Sequence, residues 1–279
     1  VVALGAKFGF NLLFVEHYGA VGLGWGAVAA SAVLLLAYLA QFALLPQLRE
    51  LDLFRRERLR LKPEAWEVFK LGLPIGLILF AEIAFFGGTA LLMARFGDAL
   101  VAAHQIAINF ASLTFMVPMG IGMSTAVRVG YAAGEGNAAA ARARGITGMQ
   151  MAVLFSLLSA SLMLFLPQII VGAYTRAPEV SAAAITFLRL AAIFQFFDCL
   201  QATASGALRG IKDTRAPMLI TVAAYWLIGM SASYTLAFGF GFGPNALWWG
   251  FTLGLGAAAL GLTLRFLGKA ARLESNAAQ

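Results

Sequence analysis

Two acidic residues, Glu82 and Asp198, lie inside long apolar stretches of this sequence. An ionised carboxylate near the centre of a bilayer is costly, so such residues generally have a partner or a function. Residues four apart share a helix face, which places Phe86 beside Glu82. The same spacing places Phe194 beside Asp198. Because carboxylates attract positive charge and aromatic faces add a cation–π attraction, these residue types at this spacing predict a site for a cation.

Amide side chains could complete this pocket. Gln201 lies three residues after Asp198, and Gln105 and Asn109 lie four apart on another apolar stretch. If these faces meet, they enclose a pocket that contains acids, amides and aromatic rings. We predict Glu82 and Asp198 as the cation-binding residues. The predicted lining residues are Phe86, Gln105, Asn109, Phe194 and Gln201.

A purely structural role for the two acids is the alternative. Each could be protonated, hydrogen-bonded across helices, or paired with Arg189, although nine residues place Arg189 about 180° around a helix from Asp198. The sequence has no Cys/His cluster, Walker loop, nucleophile elbow or HExxH motif. It therefore predicts a protein that is not an enzyme and needs no cofactor. The only metal we expect is Na⁺ at Glu82 and Asp198, with H⁺ as the other candidate cation.

Composition identifies the environment of these residues. Hydrophobic residues make up 61% of the chain and charged residues 12%, with a mean hydropathy of +0.84. Soluble domains have about 45–50% apolar and about 25% charged residues. The sequence therefore indicates an integral membrane protein of the all-α polytopic class.

Seven apolar runs are long enough to cross about 30 Å of hydrocarbon as helices. A further run, Val1–Val15, contains Lys7 and has no signal-peptide pattern, so we expect it to be the end of a helix of a longer protein. The seven predicted spans are Leu23–Leu45, Val68–Phe96, Ala99–Val127, Ile146–Ala173, Val180–Ala207, Ala216–Phe240 and Ala246–Phe266.

The distribution of Lys and Arg predicts the orientation of these spans, because positive residues are retained in the cytoplasm. The linker 49–63 is rich in arginine, and alternate threading places the basic loops 128–144 and 209–215 on the same side. The net charge of +7 follows from this topology, so we expect no nucleic-acid partner. In this orientation Asp198 lies nine residues, or about 13 Å, from the cytoplasmic end of its helix. Glu82 lies in the middle of its own span, so both acids are predicted near the midplane.

Four segments together carry a family resemblance: GLPIGLILFAEIAFF (72–86), AAHQIAINFASLTFMVPMGIG (102–122), RVGYAAGEGN (128–137) and AAIFQFFDCLQATASGALRGIKDT (191–214). The chain resembles the multidrug and toxic compound extrusion (MATE) family in its NorM-like branch, in collinear order over essentially its whole length. That family consists of two six-helix bundles, and this chain resembles the end of the first and all of the second. The resemblance implies four parts: 1–48 from the N-terminal bundle, a cytoplasmic linker 49–63, a C-terminal six-helix bundle 64–270, and a cytoplasmic tail 271–279.

The resemblance also implies a function. It suggests an antiporter of the bacterial inner membrane that exchanges Na⁺ or H⁺ for organic cations by alternating access, with Glu82 and Asp198 binding the coupling ion. Phe194 departs from the pattern, since some members have a tyrosine there. The expected partners are the lipid bilayer, small organic cations, and a missing N-terminal bundle or a second copy. The alternatives are a truncated half that does not transport by itself and a lipid-linked flippase, which would need a more basic cavity.

Overall fold

The computed structural model of the chain describes residues 2–44 and 63–277. Every regular element within these residues is helical, with a short 3₁₀ turn at Ala94–Phe96. The helices are α1 (Val2–Tyr18), α2 (Ala20–Leu44), α3 (Pro63–Met93), α4 (Asp98–Gly134), α5 (Ala138–Phe165), α6 (Pro167–Gly172), α7 (Pro178–Gly210), α8 (Arg215–Gly239) and α9 (Asn245–Ala277).

Seven helices in the described ranges, α2 to α5 and α7 to α9, are long and apolar enough to cross a membrane. The predicted all-α polytopic fold is therefore confirmed. Pro74 and Pro118 lie inside α3 and α4, which continue through them. Helix α8 differs from a regular α-helix over part of its length, because its segments Ala224–Met230 and Thr235–Gly239 are π-helical.

The chain divides into two compact units, Val1–Glu67 and Val68–Gln279. In the first unit, α1 and α2 pack against each other as a helical hairpin. The chain reverses at Gly19, whose φ of +56° is a conformation that glycine adopts without steric cost. The predicted partial helix Val1–Val15 corresponds to α1, which continues to Tyr18.

The predicted linker 49–63 lies outside the described residues except for its last residue, Pro63, which begins α3. The predicted tail 271–279 begins inside α9, which continues as a helix to Ala277, and its cytoplasmic location stays a prediction. Its sequence there, KAARLES, is composed mainly of good helix formers. An ion pair of 3.2 Å between Arg142 Nη1 and Glu274 Oε2 also joins this last part of α9 to α5.

In the second unit α7 is the central helix and packs against α4, α5, α6 and α9. Its contact with α4 is close because both helices have a glycine there. A Cβ atom on Gly206 would collide with the backbone of Gly122, and one on Gly122 would lie 3.0 Å from the carbonyl oxygen of Ala202. Gly206 follows Asp198 by about two helical turns, so this contact positions Asp198 against α4.

We predict that Gly206→Ala destabilises the second unit, because the added methyl group must push α4 and α7 apart. Overpacking of this kind costs about 1–3 kcal/mol. The measurement is the melting temperature of the purified protein in detergent, with Gly268→Ala as the control. A Cβ at Gly268 would meet no atom within 4 Å, and alanine is the better helix former, so that variant should melt no lower than the wild type. Equal melting temperatures for the two variants would show that the contact is not tight.

Candidate cation site

Three helices of the second unit, α3, α4 and α7, line a partly open cavity of about 260 Å³. Both predicted cation-binding acids line it, and so do both predicted aromatic residues. The sequence spacing therefore brings Glu82, Phe86, Phe194 and Asp198 to one place. The lining residues are Glu82, Ile83, Phe86, Ile108, Ala111, Ser112, Phe115, Phe194 and Asp198.

The two carboxylates are the only acidic side chains among these lining residues. Glu82 is half-buried, and Asp198 is only 5% exposed. The Oδ1 atom of Asp198 is buried and accepts no hydrogen bond from any described residue. A buried carboxylate oxygen without a donor is unfavourable, so a cation or a proton in this cavity would supply the missing interaction. The Ser112 hydroxyl adds a further oxygen to the same wall.

A layer of packed rings supports the aromatic side of the cavity. The rings of Phe86 and Phe194 have centroids 6.4 Å apart. Phe251 of α9 packs 4.8 Å from Phe86, and Trp248 packs 5.6 Å from Phe194. Because Phe251 and Trp248 are fully buried, they hold the two cavity rings in place beside the acids. Phe86 is the partly exposed ring of the two, and its face is the one that a bound organic cation could meet in a cation–π contact.

Further polar groups lie behind this wall. Gln195 is fully buried, and its Nε2 donates to Thr114 Oγ1 at 3.2 Å. Tyr225 of α8 is also fully buried, and its ring stacks on Phe85 at 5.1 Å. Within the described part of the chain, neither the Tyr225 hydroxyl nor Gln195 Oε1 has a hydrogen-bond partner. The interior around the acids is therefore rich in polar atoms that water or an ion could satisfy.

The three predicted amides do not line the cavity. Gln105 is exposed, and Asn109 is exposed with its Oδ1 accepting a hydrogen bond of 2.9 Å from the Tyr174 hydroxyl. Gln201 is 2% exposed and lies one turn beyond Asp198 along α7. A contact of these amides with a transported substrate stays a prediction.

The structure adds lining residues from α4 that the sequence interpretation missed: Ile108, Ala111, Ser112 and Phe115. Their spacing of three, four and seven residues is the pattern of a single helix face. Relative to the mean direction of this face, Gln105 is rotated by about 70° and Asn109 by about 110°. The interpretation favoured amides because they are polar, whereas the helix presents small and apolar residues to the cavity. The periodicity could have identified this face of α4, but the sequence does not show how α4 is rotated about its own axis toward the cavity.

Comparisons with known proteins agree with this fold. The family model described as MatE matches residues 74–235. The probable multidrug resistance protein NorM of Xanthomonas campestris is 40% identical over 276 residues, which cover 98% of this chain and 58% of that protein. The multidrug resistance protein PmpM of Pseudomonas aeruginosa is 39% identical over 258 residues, which cover 91% of this chain and 54% of that protein. The chain thus spans less than two thirds of the length of these curated relatives.

A solved structure shows the same fold. The eukaryotic MATE transporter AtDTX14 superposes with a TM-score of 0.80 over 99% of this chain and 63% of that chain. The two sequences are 20% identical, so this likeness concerns the fold alone.

The position of Ser112 gives a test of the cavity that does not depend on transport. Ser112 is an exposed residue of the cavity wall and Cys199 is fully buried, so Ser112→Cys introduces an exposed thiol while the native thiol stays protected. We predict that a positively charged methanethiosulfonate reagent labels this thiol about tenfold faster than a negatively charged one, because two carboxylates lie in the same cavity. Mass spectrometry measures the labelling rates.

Two controls accompany this measurement. Adding Glu82→Gln and Asp198→Asn should remove the charge preference while leaving the thiol reactive. Thr203→Cys, at a fully buried position of α7, should not react with either reagent. Equal rates for the two reagents with both acids present would contradict a negatively charged cavity.

Proposed function

The chain belongs to the MATE family and is a multi-pass protein of the bacterial inner membrane, and we propose that it exports organic cations in exchange for Na⁺ or H⁺. The observation that carries this proposal is the shared cavity of Glu82 and Asp198, in which Asp198 Oδ1 lacks a described partner. A cation is the ligand that satisfies such a pair in an apolar surrounding. The names of the two relatives, which are called multidrug resistance proteins, agree with a role in drug export.

The exchange follows from competition for the same carboxylates. An organic cation binds when the acids are ionised, with its charge at Glu82 and Asp198 and its apolar parts against Phe86 and Phe194. A coupling ion or proton that reaches the acids from outside removes their attraction for the organic cation. Thermodynamic reciprocity requires the organic cation to weaken the binding of the coupling ion by the same factor.

The residues of the cavity are compatible with either coupling ion. Sodium prefers oxygen ligands, and the oxygen atoms available here are those of Glu82, Asp198 and Ser112. Phe194 contributes a ring without a hydroxyl, so a sodium ion would have fewer protein ligands than with a tyrosine there. A proton needs no such coordination and requires only the two carboxylates.

Alternating access needs a second body against which the cavity opens and closes. We propose that this is a second helical bundle, either a further part of the protein or a second copy of the chain. Mass determination of the purified protein distinguishes a single copy from an assembly. A lipid-linked flippase is the less favoured function, because its phosphate-bearing substrate would meet the carboxylates of Glu82 and Asp198 and no basic side chain among the described lining residues.

Ethidium efflux tests the proposed transport. We expect bacteria that lack other drug pumps to export ethidium when they express the chain, and Asp198→Asn to reduce that export at least about tenfold, because the cavity loses a charge. Glu179→Gln is the matched control, since Glu179 is an exposed acid in the first turn of the same helix. Wild-type efflux by Asp198→Asn at equal membrane levels would overturn the assignment of Asp198. A chain that binds ethidium without exporting it would indicate that the second body is absent.

The coupling predicts a pH dependence for the binding of an organic cation such as tetraphenylphosphonium. Protonated carboxylates no longer attract the cation, so its affinity should fall as the pH is lowered. At constant pH, added Na⁺ should lower the affinity only if sodium is the coupling ion. Equilibrium binding to the purified protein measures both effects. Affinity that is the same at every pH and every Na⁺ concentration would contradict coupling through these acids.

A further inference from the structure

A second concave surface lies between α4 and α5, separate from the cation site. It is a groove of about 720 Å³, and none of its lining residues belongs to the cation cavity. The residues that line the groove are Val117, Gly120, Ile121, Ser124, Thr125, Arg128, Ala143, Arg144, Thr147, Gly148 and Met151.

The groove is polar at one end and apolar at the other. Arg128 and Arg144 mark the end where α4 finishes and α5 begins, which the positive-inside rule places at the cytoplasmic membrane surface. Val117 and Met151 lie at the opposite end, deeper in the membrane. Val117 and Arg128 are eleven positions apart on α4, a distance of about 16 Å, which is close to half of a hydrocarbon core of about 30 Å. The groove thus has the length and the polarity of one leaflet.

The two arginines of the groove carry positive charge that the described residues do not neutralise. Arg144 Nη1 donates a hydrogen bond of 3.0 Å to the backbone carbonyl oxygen of Arg128, which fixes the Arg144 side chain against α4. Neither guanidinium forms an ion pair with a carboxylate in the described ranges 2–44 and 63–277. The planar fork of donors on arginine matches the oxygen atoms of a phosphate group.

A neighbouring groove provides a contrast within the same molecule. It has a similar volume of about 640 Å³ and lies between α5, α7 and α9, with Arg142 among its lining residues. Arg142 differs from the other two arginines because its guanidinium pairs with Glu274 at 3.2 Å. Two grooves of comparable size therefore differ in the charge that they offer to a ligand.

The groove between α4 and α5 has a closely packed floor at Gly148 and open space at Gly120. At Gly148 a Cβ atom would collide with the Thr125 side chain, so the two helices approach closely there and form the floor. At Gly120 a Cβ atom would meet nothing within 4 Å, so this glycine faces the open space. A larger side chain at position 120 would fill the groove without disturbing the contact at Gly148.

We propose that this groove binds an anionic phospholipid of the cytoplasmic leaflet. The lipid phosphate lies between Arg128 and Arg144, and the hydroxyls of Ser124 and Thr147 are available as further donors. One acyl chain follows the groove toward Val117. The site takes a phospholipid rather than free phosphate, because the apolar half of the groove has no group that a phosphate ion could use.

Native mass spectrometry of the full chain in detergent tests the proposal by counting bound lipid during titration. Phosphatidylglycerol is the anionic probe and phosphatidylcholine the zwitterionic one. We expect phosphatidylglycerol to bind at least about tenfold more tightly, since each arginine near the surface favours an anionic lipid. The double variant Arg128→Gln with Arg144→Gln should lose that preference. Gly120→Leu should weaken phosphatidylglycerol binding with both arginines present, because the leucine occupies the position of the acyl chain.

Arg142→Gln is the matched control, because it removes an arginine of the neighbouring groove, and it should leave phosphatidylglycerol binding unchanged. Equal binding of the two lipids would overturn the proposal, and so would an equal loss in Arg142→Gln. Displacement of the lipid by inorganic phosphate at equal affinity would show a phosphate site without acyl recognition, which also contradicts it. A protein occupant would be indicated if Gly120→Leu dissociated a complex of two chains while lipid binding was unaffected.

Discussion

Burying negative charge within the membrane is the constraint around which the second unit is organised. Hydrocarbon cannot solvate a carboxylate, so Glu82 and Asp198 depend on what the surrounding helices supply. The structure places both acids on one cavity, with Asp198 Oδ1 lacking a donor among the described residues. A cation or a proton can supply the interaction that Asp198 Oδ1 lacks, and can do so reversibly. A fully paired acid could not bind and release an ion in this way, which is why the incomplete pairing matters for the proposed transport.

The cavity exists because its three helices are held at fixed separations by packing elsewhere. Gly122 and Gly206 let α4 and α7 touch about two turns beyond Asp198. On the α3 side, the packed rings of Phe85, Tyr225 and Phe251 fill the space. The cavity is the small space that remains between the tight glycine contact on one side and the bulky rings on the other. Because helix interfaces in membranes depend mainly on such packing, small residues and rings decide where the cavity lies.

The distribution of arginine contacts divides the cytoplasmic end of the second unit into two kinds of surface. Asp213 is buried and pairs with Arg265 at 2.8 Å and Lys269 at 3.2 Å, which joins the turn after α7 to α9. Such pairs hold the protein together and neutralise their own charge. Arg128 and Arg144 have no such carboxylate partner among the described residues, so they keep their positive charge. The groove that they line is open at the surface of the second unit. The same residue type thus serves packing in one place and provides a surface for anionic lipid in another.

The sequence by itself determined the fold class and singled out the two acids of the proposed cation site. The apolar runs identified seven spanning helices, because a bilayer of fixed thickness demands helices of fixed length and leaves few alternatives. An acid inside such a run is so costly that Glu82 and Asp198 could be selected from their positions in the sequence, and Phe86 and Phe194 followed from helical spacing. Only the tertiary structure decided which face of α4 meets these residues. The rotation of a helix depends on long-range packing, and it turned Ser112 and Phe115 toward the cavity and left Gln105 and Asn109 exposed.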